Sequence, residues 1–294
     1  MARAEPLRSG SERNRALTTL IEGKKIARDI RSRIAEEIAT SDRVPGLATI
    51  LVGDDPASAV YVANKRRAAL AVGMREFHRS MPAEATQEQV AEVIDQLAAD
   101  PDVSGILLQL PLPPGLDSAS LIDRIPAGKD VDGLTTMSTG LLARGAPGLR
   151  PCTPSGVMEL LDAEGVSIAG AHAVVVGYSQ LVGRPMSQML LHREATVTVA
   201  HKRTVDLPAV TRVADILVVA TGVHGLIGAE HVKPGATVID VGINRTPDGR
   251  LAGDVRAAEL DGIAARITPV PGGVGPMTIA MLLANTLQAS RWAA

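Results

Sequence analysis

The sequence predicts an α/β fold of two lobes, an N-terminal α/β lobe followed by a lobe with a Rossmann-type parallel sheet. From Leu47 onward, short apolar runs alternate with amphipathic segments of helical period, the pattern of repeated βαβ units around a parallel sheet. The 294 residues, of which 46% are hydrophobic, are enough to build two compact cores. We assign residues 17–149 to the first lobe, 150–277 to the second, and 278–294 to a closing helix that completes the first lobe.

The first lobe contains two predicted strands and two predicted helices. The strands are Leu47–Val52 and Gly105–Leu110, and the helices are Pro56–Val72 and Glu88–Ala99. Thr86 and Gln89 form a capping box at the start of the second helix. The second strand has the composition of a strand buried on both faces, and it stops before Pro111 because proline cannot donate to a sheet ladder. We expect the two strands to be parallel.

The second lobe alternates strands and helices in the order of a Rossmann fold. It opens with a helix over Gly156–Ala163, for which Thr153 is the predicted cap and Pro154 the first helical residue. The strands that follow are Ala173–Val176, Thr196–Ala200, Ile216–Ala220 and Thr237–Val241, and the helices are Val182–Leu191 and Met277–Ser290. Ligands of such sheets bind at the carboxyl ends of the strands, so we look for a site there.

Composition and charge exclude several classes of partner. The net charge of -2, from 30 basic and 32 acidic side chains, gives no broad attraction to nucleic acid or to an anionic membrane. The single cysteine, Cys152, allows no internal disulfide and no thiolate cluster, and the six histidines show no short metal-ligand spacing. We expect a small-molecule partner, no metal, and a reducing compartment.

The chain has no apolar run long enough to cross a bilayer, which predicts a cytoplasmic protein. Residues 1–16 are polar and arginine-rich, and we expect them to form a disordered tail. An organellar presequence is the alternative, against which Glu5 and Glu12 count.

The segment from Gly177 to Gly183 joins a predicted strand to a predicted helix and is a candidate dinucleotide site. Gly177 allows a tight turn, and the free amides at the start of the helix can bind a pyrophosphate. The segment is not GxGxxG, so an ordinary strand-to-helix turn explains the two glycines as well. Lys202 and Arg203 follow the next strand, where an NAD enzyme carries an acid, and cations there suit the 2′-phosphate of NADP. A solvated pair of loop charges is the alternative.

We therefore favour NADP over NAD. Ile243 follows the predicted strand Thr237–Val241 and could press on the nicotinamide ring, although simple packing explains an isoleucine there as well. The candidate cofactor-binding residues are Gly177, Tyr178, Ser179, Lys202, Arg203, Thr221, Gly222 and Ile243.

Ser58, Tyr61 and Lys65 project from one face of the predicted helix Pro56–Val72, because they are spaced three and four residues apart. That face turns apolar toward its end, so Lys65 should be partly desolvated, which favours its neutral form and makes it usable as a proton acceptor. A surface tyrosine and lysine on an amphipathic helix is the alternative, and spacing alone favours it.

Three further segments could contact a ligand. Gln109 is a buried amide that needs hydrogen-bond partners, in a ligand or in a neighbouring loop. Asp130 and Asp132 place two carboxylates in a turn, where one could accept from an aminopyrimidine edge. The glycine-rich loop that contains Pro271, Gly272 and Gly273 could let the backbone approach a ligand closely.

Together these stretches resemble the bifunctional methylenetetrahydrofolate dehydrogenase/methenyltetrahydrofolate cyclohydrolase family. The resemblance runs from about Ile21 to Ala289, and its ordered set of motifs is highly specific although each motif alone is weak. The motifs are Val52–Ser58 with Tyr61–Lys65, Gln109–Pro113, Lys129–Gly133, Pro151–Pro154 and Pro269–Thr278.

The resemblance implies that the first lobe binds folate and carries catalysis and that the second lobe binds NADP. It implies that Lys65 is the catalytic lysine, that Tyr61 and Gln109 position and polarise the folate, and that Asp132 anchors the pterin. Ser58, Pro271, Gly272 and Gly273 are the further candidate substrate-binding residues. The implied reactions are oxidation of methylenetetrahydrofolate and hydrolysis of the methenyl product, in a homodimer of the cytoplasm.

The chain departs from the family pattern in three places. Tyr178 stands where many members have arginine, so the phosphate contact falls to Lys202 and Arg203. Leu134 and the two threonines after it stand where members often have Phe-His-Pro, and residues 1–16 have no counterpart.

Two other functions compete with this interpretation. One is a dehydrogenase of the same fold without cyclohydrolase activity, against which Lys65 and Gln109 argue. The other is a nonenzymatic NADP-binding regulator, in which Lys65, Gln109 and Asp132 would have no reason to coincide. A formylfolate synthetase is not expected, because the chain has no GxxxxGK[ST] loop.

Overall fold

The computed structural model describes residues 17–292, so the predicted tail over residues 1–16 lies outside the described residues. Nine α-helices occur in the described part: α1 (Gly23–Ala39), α2 (Pro56–Ala71), α3 (Gln87–Ala99), α4 (Ser118–Ile122), α5 (Thr136–Ala143), α6 (Cys152–Ala163), α7 (Gly183–His192), α8 (Leu207–Thr211) and α9 (Val274–Trp292). The strands of the same part are β1 (Thr19–Leu20), β2 (Gly46–Val52), β3 (Arg75–Met81), β4 (Gly105–Leu108), β5 (His172–Val176), β6 (Thr196–Ala200), β7 (Ile216–Val219), β8 (Thr237–Asp240), β9 (Asn244–Arg245), β10 (Leu251–Ala252) and β11 (Arg266–Ile267). None of the helices in this part is long and apolar enough to span a bilayer.

The first lobe is built on a three-stranded parallel sheet in the order β3-β2-β4. Strand β2 lies in the middle and is buried along its whole length, as a strand covered on both faces must be. On one face, Val90, Ile94 and Leu97 of α3 pack into a cluster with Ile50 and Ile106 of the sheet. The predicted parallel strands and the capping box of Thr86 at the start of α3 are confirmed.

The second lobe is built on a six-stranded parallel sheet in the order β1-β11-β8-β7-β5-β6. The first strand of the Rossmann succession, β5, pairs with β6 on one side and with β7 on the other. The chain therefore changes direction across the sheet at β5, and the crevice at the carboxyl end of β5 is where ligands of such sheets bind. This confirms the predicted Rossmann-type sheet. Strand β1 belongs to this sheet although its residues were assigned to the first lobe, and the division at residue 150 stays a prediction.

Helix α9 joins the two lobes. It packs on α1 and α6, and Leu282 and Leu283 lie in one apolar cluster with Ile34 of α1 and Val157 of α6. A Cβ atom on Gly156 would lie 2.6 Å from the Cβ of Met277, so α6 and α9 can approach this closely only because residue 156 has no side chain. The predicted return of the last helix to the first lobe is confirmed.

Several predicted element ends are wrong by two residues or more, among them both ends of α9, which spans Val274–Trp292 and not Met277–Ser290. Helix α6 begins at Cys152 after Pro151, so Thr153 is not its cap; the Thr153 hydroxyl forms a hydrogen bond of 2.9 Å with Thr278 Oγ1 of α9 instead. Pro154 fits in the first turn, where the backbone N–H groups have no helical partner. Strand β4 ends at Leu108, two residues before the predicted end, because the ladder stops short of Pro111.

Candidate active site

Helix α2 presents Lys65 at the carboxyl edge of the first sheet. The helix starts because Asp55 accepts a hydrogen bond of 2.7 Å from the Ser58 N–H and Pro56 occupies the first turn. Tyr61 is 45% exposed and available to a ligand, whereas Lys65 is half-buried. Ser58 is only 3% exposed, and its proposed contact with substrate stays a prediction.

Lys65 is bonded to the amide of Gln109, which lies directly after β4. Its Nζ donates to Oε1 of Gln109 at 3.0 Å. The Nε2 of the same amide donates to the carbonyl oxygen of Leu110 at 2.6 Å, which fixes the orientation of the amide. Gln109 is half-buried rather than enclosed within the strand as predicted, since the strand has already ended. The amine and the amide therefore meet at one edge of the sheet, out of bulk solvent.

In the segment from Lys129 to Gly133, Lys129 and Asp130 hold the turn together, whereas Asp132 forms no hydrogen bond within the turn. Asp130 is buried, and its two oxygens accept from the N–H groups of Leu134 at 3.1 Å and Thr135 at 2.8 Å. Lys129 donates to two carbonyl oxygens at the end of α3. These contacts shape the turn and leave Asp132 as the carboxylate that can receive a ligand.

Asp132 lies close to Lys65 and Cys152. Burial raises the pKa of the Asp132 carboxyl, and the positive charge of Lys65 partly offsets that rise. Burial also raises the pKa of the Cys152 thiol well above its ordinary value, so Cys152 is a neutral S–H donor. That thiol is in hydrogen-bonding range of Asp132 and 3.2 Å from the carbonyl oxygen of Val131. No spacing in the sequence predicted the contact between Cys152 and Asp132.

The glycine-rich loop before α9 is tied to the start of α1. The Lys24 N–H donates to the carbonyl oxygen of Gly272 at 3.0 Å, and Gly272 has φ +113°. A Cβ on Gly23 would lie 1.9 Å from the carbonyl oxygen of Gly273. The close backbone approach is therefore to α1. Contact of Pro271, Gly272 and Gly273 with substrate stays a prediction.

A cavity of about 700 Å³ lies at the carboxyl ends of β5, β6 and β7. Six predicted cofactor residues line it: Gly177, Tyr178, Ser179, Lys202, Arg203 and Thr221. Its size matches that of a cofactor site. Two cations after β6 give the cavity a positive end, which suits a phosphate.

The turn after β5 is held by close backbone packing. Gly177 has φ +121°, and a Cβ there would lie 2.1 Å from the carbonyl oxygen of Ala220, so only glycine fits. The Ser179 hydroxyl accepts from the N–H groups of Val182 at 3.2 Å and Gly183 at 3.4 Å, at the start of α7.

Arg184 places a cation over the ring of Tyr178. Its guanidinium lies 4.5 Å from the centroid of that ring. The sequence analysis did not single out Arg184.

Gly222 and Ile243 do not line this cavity, although both were predicted with the other cofactor residues. Gly222 follows Thr221 with φ +67°, and Ile243 is 47% exposed beside Gly275 of the glycine-rich loop. Both lie after strands of the same sheet, so they can meet a ligand longer than the cavity. Two buried carboxylates that the sequence analysis did not single out, Asp240 and Asp254, lie behind them.

The geometry supports two kinds of chemistry at neighbouring places. An amine that is hydrogen-bonded to an amide and lies within charge range of a carboxylate can move protons. A cavity with a glycine turn and two cations can hold a phosphorylated dinucleotide.

The chain matches two family descriptions in succession. Residues 21–132 match "Tetrahydrofolate dehydrogenase/cyclohydrolase, catalytic domain", and residues 151–294 match "Tetrahydrofolate dehydrogenase/cyclohydrolase, NAD(P)-binding domain". Among curated relatives, the chain is similar to "Bifunctional protein FolD 2" of Frankia casuarinae, with 62% identity over 276 residues that cover 92% of this chain and 96% of the relative.

Solved structures agree over nearly the whole length. The bifunctional FolD methylenetetrahydrofolate dehydrogenase/cyclohydrolase of Campylobacter jejuni has a TM-score of 0.92 at 42% identity and covers 94% of this chain and 100% of its own. The Trypanosoma brucei enzyme, solved with NADP cofactor and inhibitor, has a TM-score of 0.90 at 40% identity and covers 94% of this chain and 98% of its own.

Proposed function

The chain belongs to the tetrahydrofolate dehydrogenase/cyclohydrolase family, and on that basis we propose that it catalyses both reactions of the family in one-carbon metabolism. It oxidises methylenetetrahydrofolate to methenyltetrahydrofolate with NADP, and it hydrolyses the methenyl product to formyltetrahydrofolate. The observation that carries the proposal is the hydrogen bond from Lys65 to Gln109, which holds a half-buried amine beside the carboxylate of Asp132.

The residues of the second lobe fit NADP. The cavity of about 700 Å³ presents the backbone of Gly177 and the hydroxyl of Ser179 on one side, and Lys202 and Arg203 on the other. The glycine turn leaves room for a pyrophosphate, and the two cations would bind the 2′-phosphate. When bound, NADP supplies the oxidising power by accepting a hydride from the methylene carbon of the folate.

Lys65 serves the hydrolysis. In its neutral form the amine accepts a proton from the water that attacks the methenyl carbon, and the ammonium so formed delivers a proton to the ring nitrogen as the ring opens. Gln109 holds the amine in place through the 3.0 Å hydrogen bond. Tyr61, exposed one turn before Lys65 on α2, offers a flat surface for the folate.

Asp132 anchors the pterin. Its neighbour Asp130 uses both oxygens within the turn, so only Asp132 has acceptors to offer to an aminopyrimidine edge. Burial around Asp132 strengthens such a contact because water competes less for the carboxylate.

The same proposal includes a homodimer in the cytoplasm, as the resemblance to the family implies. Strand β6 is an edge of the six-stranded sheet, and a second copy could cover that edge. Sedimentation equilibrium of the purified protein would give twice the chain mass if the proposal is right and the chain mass if it is wrong.

An assay with separate readouts tests the reactions. Purified protein receives methylenetetrahydrofolate with NADP or with NAD, while reduced cofactor, methenyl intermediate and formyl product are followed individually. We expect reduced cofactor and formyl product with NADP. If neither cofactor is reduced, the proposed dehydrogenase activity is contradicted. If the methenyl intermediate accumulates and is hydrolysed no faster than without enzyme, the proposed cyclohydrolase activity is contradicted.

A further inference from the structure

Two buried aspartates lie behind the loops that follow β7 and β8. Asp254 is fully buried and Asp240 is 3% exposed. Within residues 17–292, no cationic side chain forms an ion pair with either carboxylate. A carboxylate removed from water without a cation is costly unless hydrogen-bond donors surround it. The donors around this pair therefore indicate what the pair does.

Asp254 bonds two loops with one carboxylate. Its Oδ2 accepts from the N–H of Thr221 at 2.6 Å, from the Thr221 hydroxyl at 2.8 Å and from the N–H of Gly222 at 2.9 Å. Its Oδ1 accepts from Nδ2 of Asn244 at 2.8 Å. All four donors are neutral, and they come from the loop after β7 and from β9. The spacing of these two loops is thereby set by a single side chain.

Asp240 in turn fixes the backbone that carries Asp254. Its Oδ1 accepts from the N–H of Gly242 at 2.9 Å and from the N–H of Asp254 at 3.0 Å, and its Oδ2 accepts from the N–H of Val255 at 3.0 Å. Asp240 therefore acts through Asp254 on the loops in front.

Two glycines are required by this packing. A Cβ on Gly242 would lie 2.2 Å from Oδ1 of Asp254, and a Cβ on Gly253 would lie 1.8 Å from Oδ2 of Asp240. Each carboxylate thus occupies the space that a side chain on the neighbouring loop would need. The close fit leaves the loops little freedom to shift relative to each other.

Ile243 is held from both sides by this pair. The residue before it, Gly242, is bonded to Asp240, and the side chain of the residue after it, Asn244, is bonded to Asp254. Ile243 remains 47% exposed, and Thr221 lines the cofactor cavity. Asp240 and Asp254 therefore fix the position of Ile243 relative to the turn at Thr221. Neither aspartate lines the cofactor cavity itself.

We propose that Asp254, held by Asp240, is a positioning residue for the nicotinamide end of NADP. It sets the Thr221–Gly222 turn and Ile243 as two walls between which the ring is oriented for hydride transfer. The inference rests on the proposed function and assigns no chemical step to Asp254. The 2′-phosphate contacts of Lys202 and Arg203 do not depend on Asp254, so it should govern turnover more than cofactor affinity.

Asp254→Asn tests the proposal, because it removes the negative charge that strengthens the bonds from Thr221 and Gly222 and puts an amide nitrogen where one of the donors now meets a carboxylate oxygen. We expect kcat of the dehydrogenase to fall about 10- to 100-fold, the range associated with a small misplacement of reacting groups. The Kd for NADP, measured by calorimetry, should change less than about threefold. Hydrolysis of methenyltetrahydrofolate, assayed without NADP, should stay within about twofold of wild type.

Hydrogen exchange of the cofactor-free protein distinguishes a local loss of positioning from a general loss of stability. Hydrogen exchange of the Thr221 and Gly222 amides should be faster in Asp254→Asn, while exchange in β2 and α2 of the first lobe should be unchanged. Asp248→Asn is the matched control, since Asp248 is an exposed aspartate in the turn between β9 and β10, where it contacts Thr246 and Arg250. It should leave both activities unchanged.

Two results would overturn the inference: an equal loss of both activities in Asp254→Asn, or no loss of dehydrogenase activity. If Asp254→Asn does not fold, Asn244→Ala decides, because it keeps the carboxylate and removes one donor. A selective dehydrogenase loss would then support the inference and unchanged turnover would overturn it. Wild-type protein that does not reduce NADP would instead contradict the proposed function.

Discussion

Nζ of Lys65 donates a hydrogen bond of 3.0 Å to Oε1 of Gln109, which joins helix α2 to the end of strand β4. The amide cannot turn freely, because its Nε2 is bonded to the carbonyl oxygen of Leu110. The charge of the same amine lowers the pKa of the Asp132 carboxyl. An amine, an amide and a carboxylate from three separate segments therefore converge at one edge of the first sheet.

Variants of Asp132 and Asp130 should have different effects: the first should weaken folate binding, and the second should lower stability. Asp132→Asn should raise KM for the folate at least about 10-fold in both reactions, because it removes a charged acceptor from a buried contact. Its free energy of unfolding at pH 7 should be unchanged or higher, since burial makes the charged form of Asp132 unfavourable. Steady-state kinetics and urea denaturation measure the two effects.

Asp130→Asn is the matched comparison for that prediction. The new amide nitrogen would face the N–H of Leu134 or of Thr135, so the free energy of unfolding should fall by about 1–3 kcal/mol while the folded enzyme keeps its KM. The opposite pattern, with lost folate affinity in Asp130→Asn and not in Asp132→Asn, would reverse the assignment.

The cations after β6 should determine the preference for NADP. The double variant Lys202→Ala with Arg203→Ala should raise KM for NADP about 10- to 100-fold and KM for NAD less than about twofold, because only NADP carries the 2′-phosphate. Arg212→Ala removes an exposed arginine that does not line the cavity and should change neither value. Equal effects of the double variant on the two cofactors would refute the phosphate contact.

The charge of Lys65 should be measurable at Asp132. Because Lys65 lowers the pKa of Asp132 against the effect of burial, Lys65→Met should raise that pKa further. Titration of the Asp132 carboxyl carbon by NMR in both proteins compares the two values. Arg67→Met, on the exposed side of the same helix, should leave it unchanged. An unshifted Asp132 in Lys65→Met would mean that the two groups are not coupled.

The contribution of Asp240 to the free energy of unfolding should decrease as the pH rises, which is opposite to the usual behaviour of a carboxylate whose pKa is lowered on folding. Burial raises its pKa from 3.8 to about 6 in the folded protein, so between these values the folded protein holds a proton that the unfolded chain releases. The stabilising contribution is therefore present below about pH 4 and is lost as pH rises through about 6. The free energy of unfolding of wild type minus that of Asp240→Asn should fall by roughly 2 kcal/mol between about pH 4 and about pH 7.

Urea denaturation of both proteins across this range measures the difference. Asp248→Asn is the control, because hydrogen bonds from Thr246 and Arg250 lower the pKa of Asp248. Its contribution is lost only as the pH falls below about 4, so the same difference should stay constant from about pH 4 to about pH 7. A constant difference for Asp240→Asn as well would contradict the raised pKa.

The main strands and helices could be predicted because their signals are local. Short apolar or β-branched runs located β2, β5, β6, β7 and β8 to within one residue. Strand β3 was missed because it is a polar, half-buried edge strand with no apolar run. The two-residue strands β1 and β11 depend on pairing between distant segments. Helix α1 was missed although Ile30, Ile34 and Ile38 recur at helical spacing, so in that case the signal was present.

Some residues of the candidate site could be predicted from local sequence motifs, and others could not. Lys65, Gln109 and Asp132 stand in motifs, and the family resemblance identified them. Asp240 and Asp254 could not be identified, because their partners are backbone N–H groups and neutral side chains from separate loops, which leave no spacing pattern. The residues alone could not separate the roles of Asp130 and Asp132, since the difference lies in which oxygens the turn itself uses, and only the family resemblance singled out Asp132.

Lys65→Met tests the central claim, that the amine held by Gln109 carries out hydrolysis at the folate. The measurement is the rate of methenyltetrahydrofolate hydrolysis without NADP, with circular dichroism and NADP affinity as checks on folding. We predict a fall of at least about 100-fold with folding and NADP affinity intact, the size expected for loss of an acid–base group. Hydrolysis within a few-fold of wild type would contradict the account.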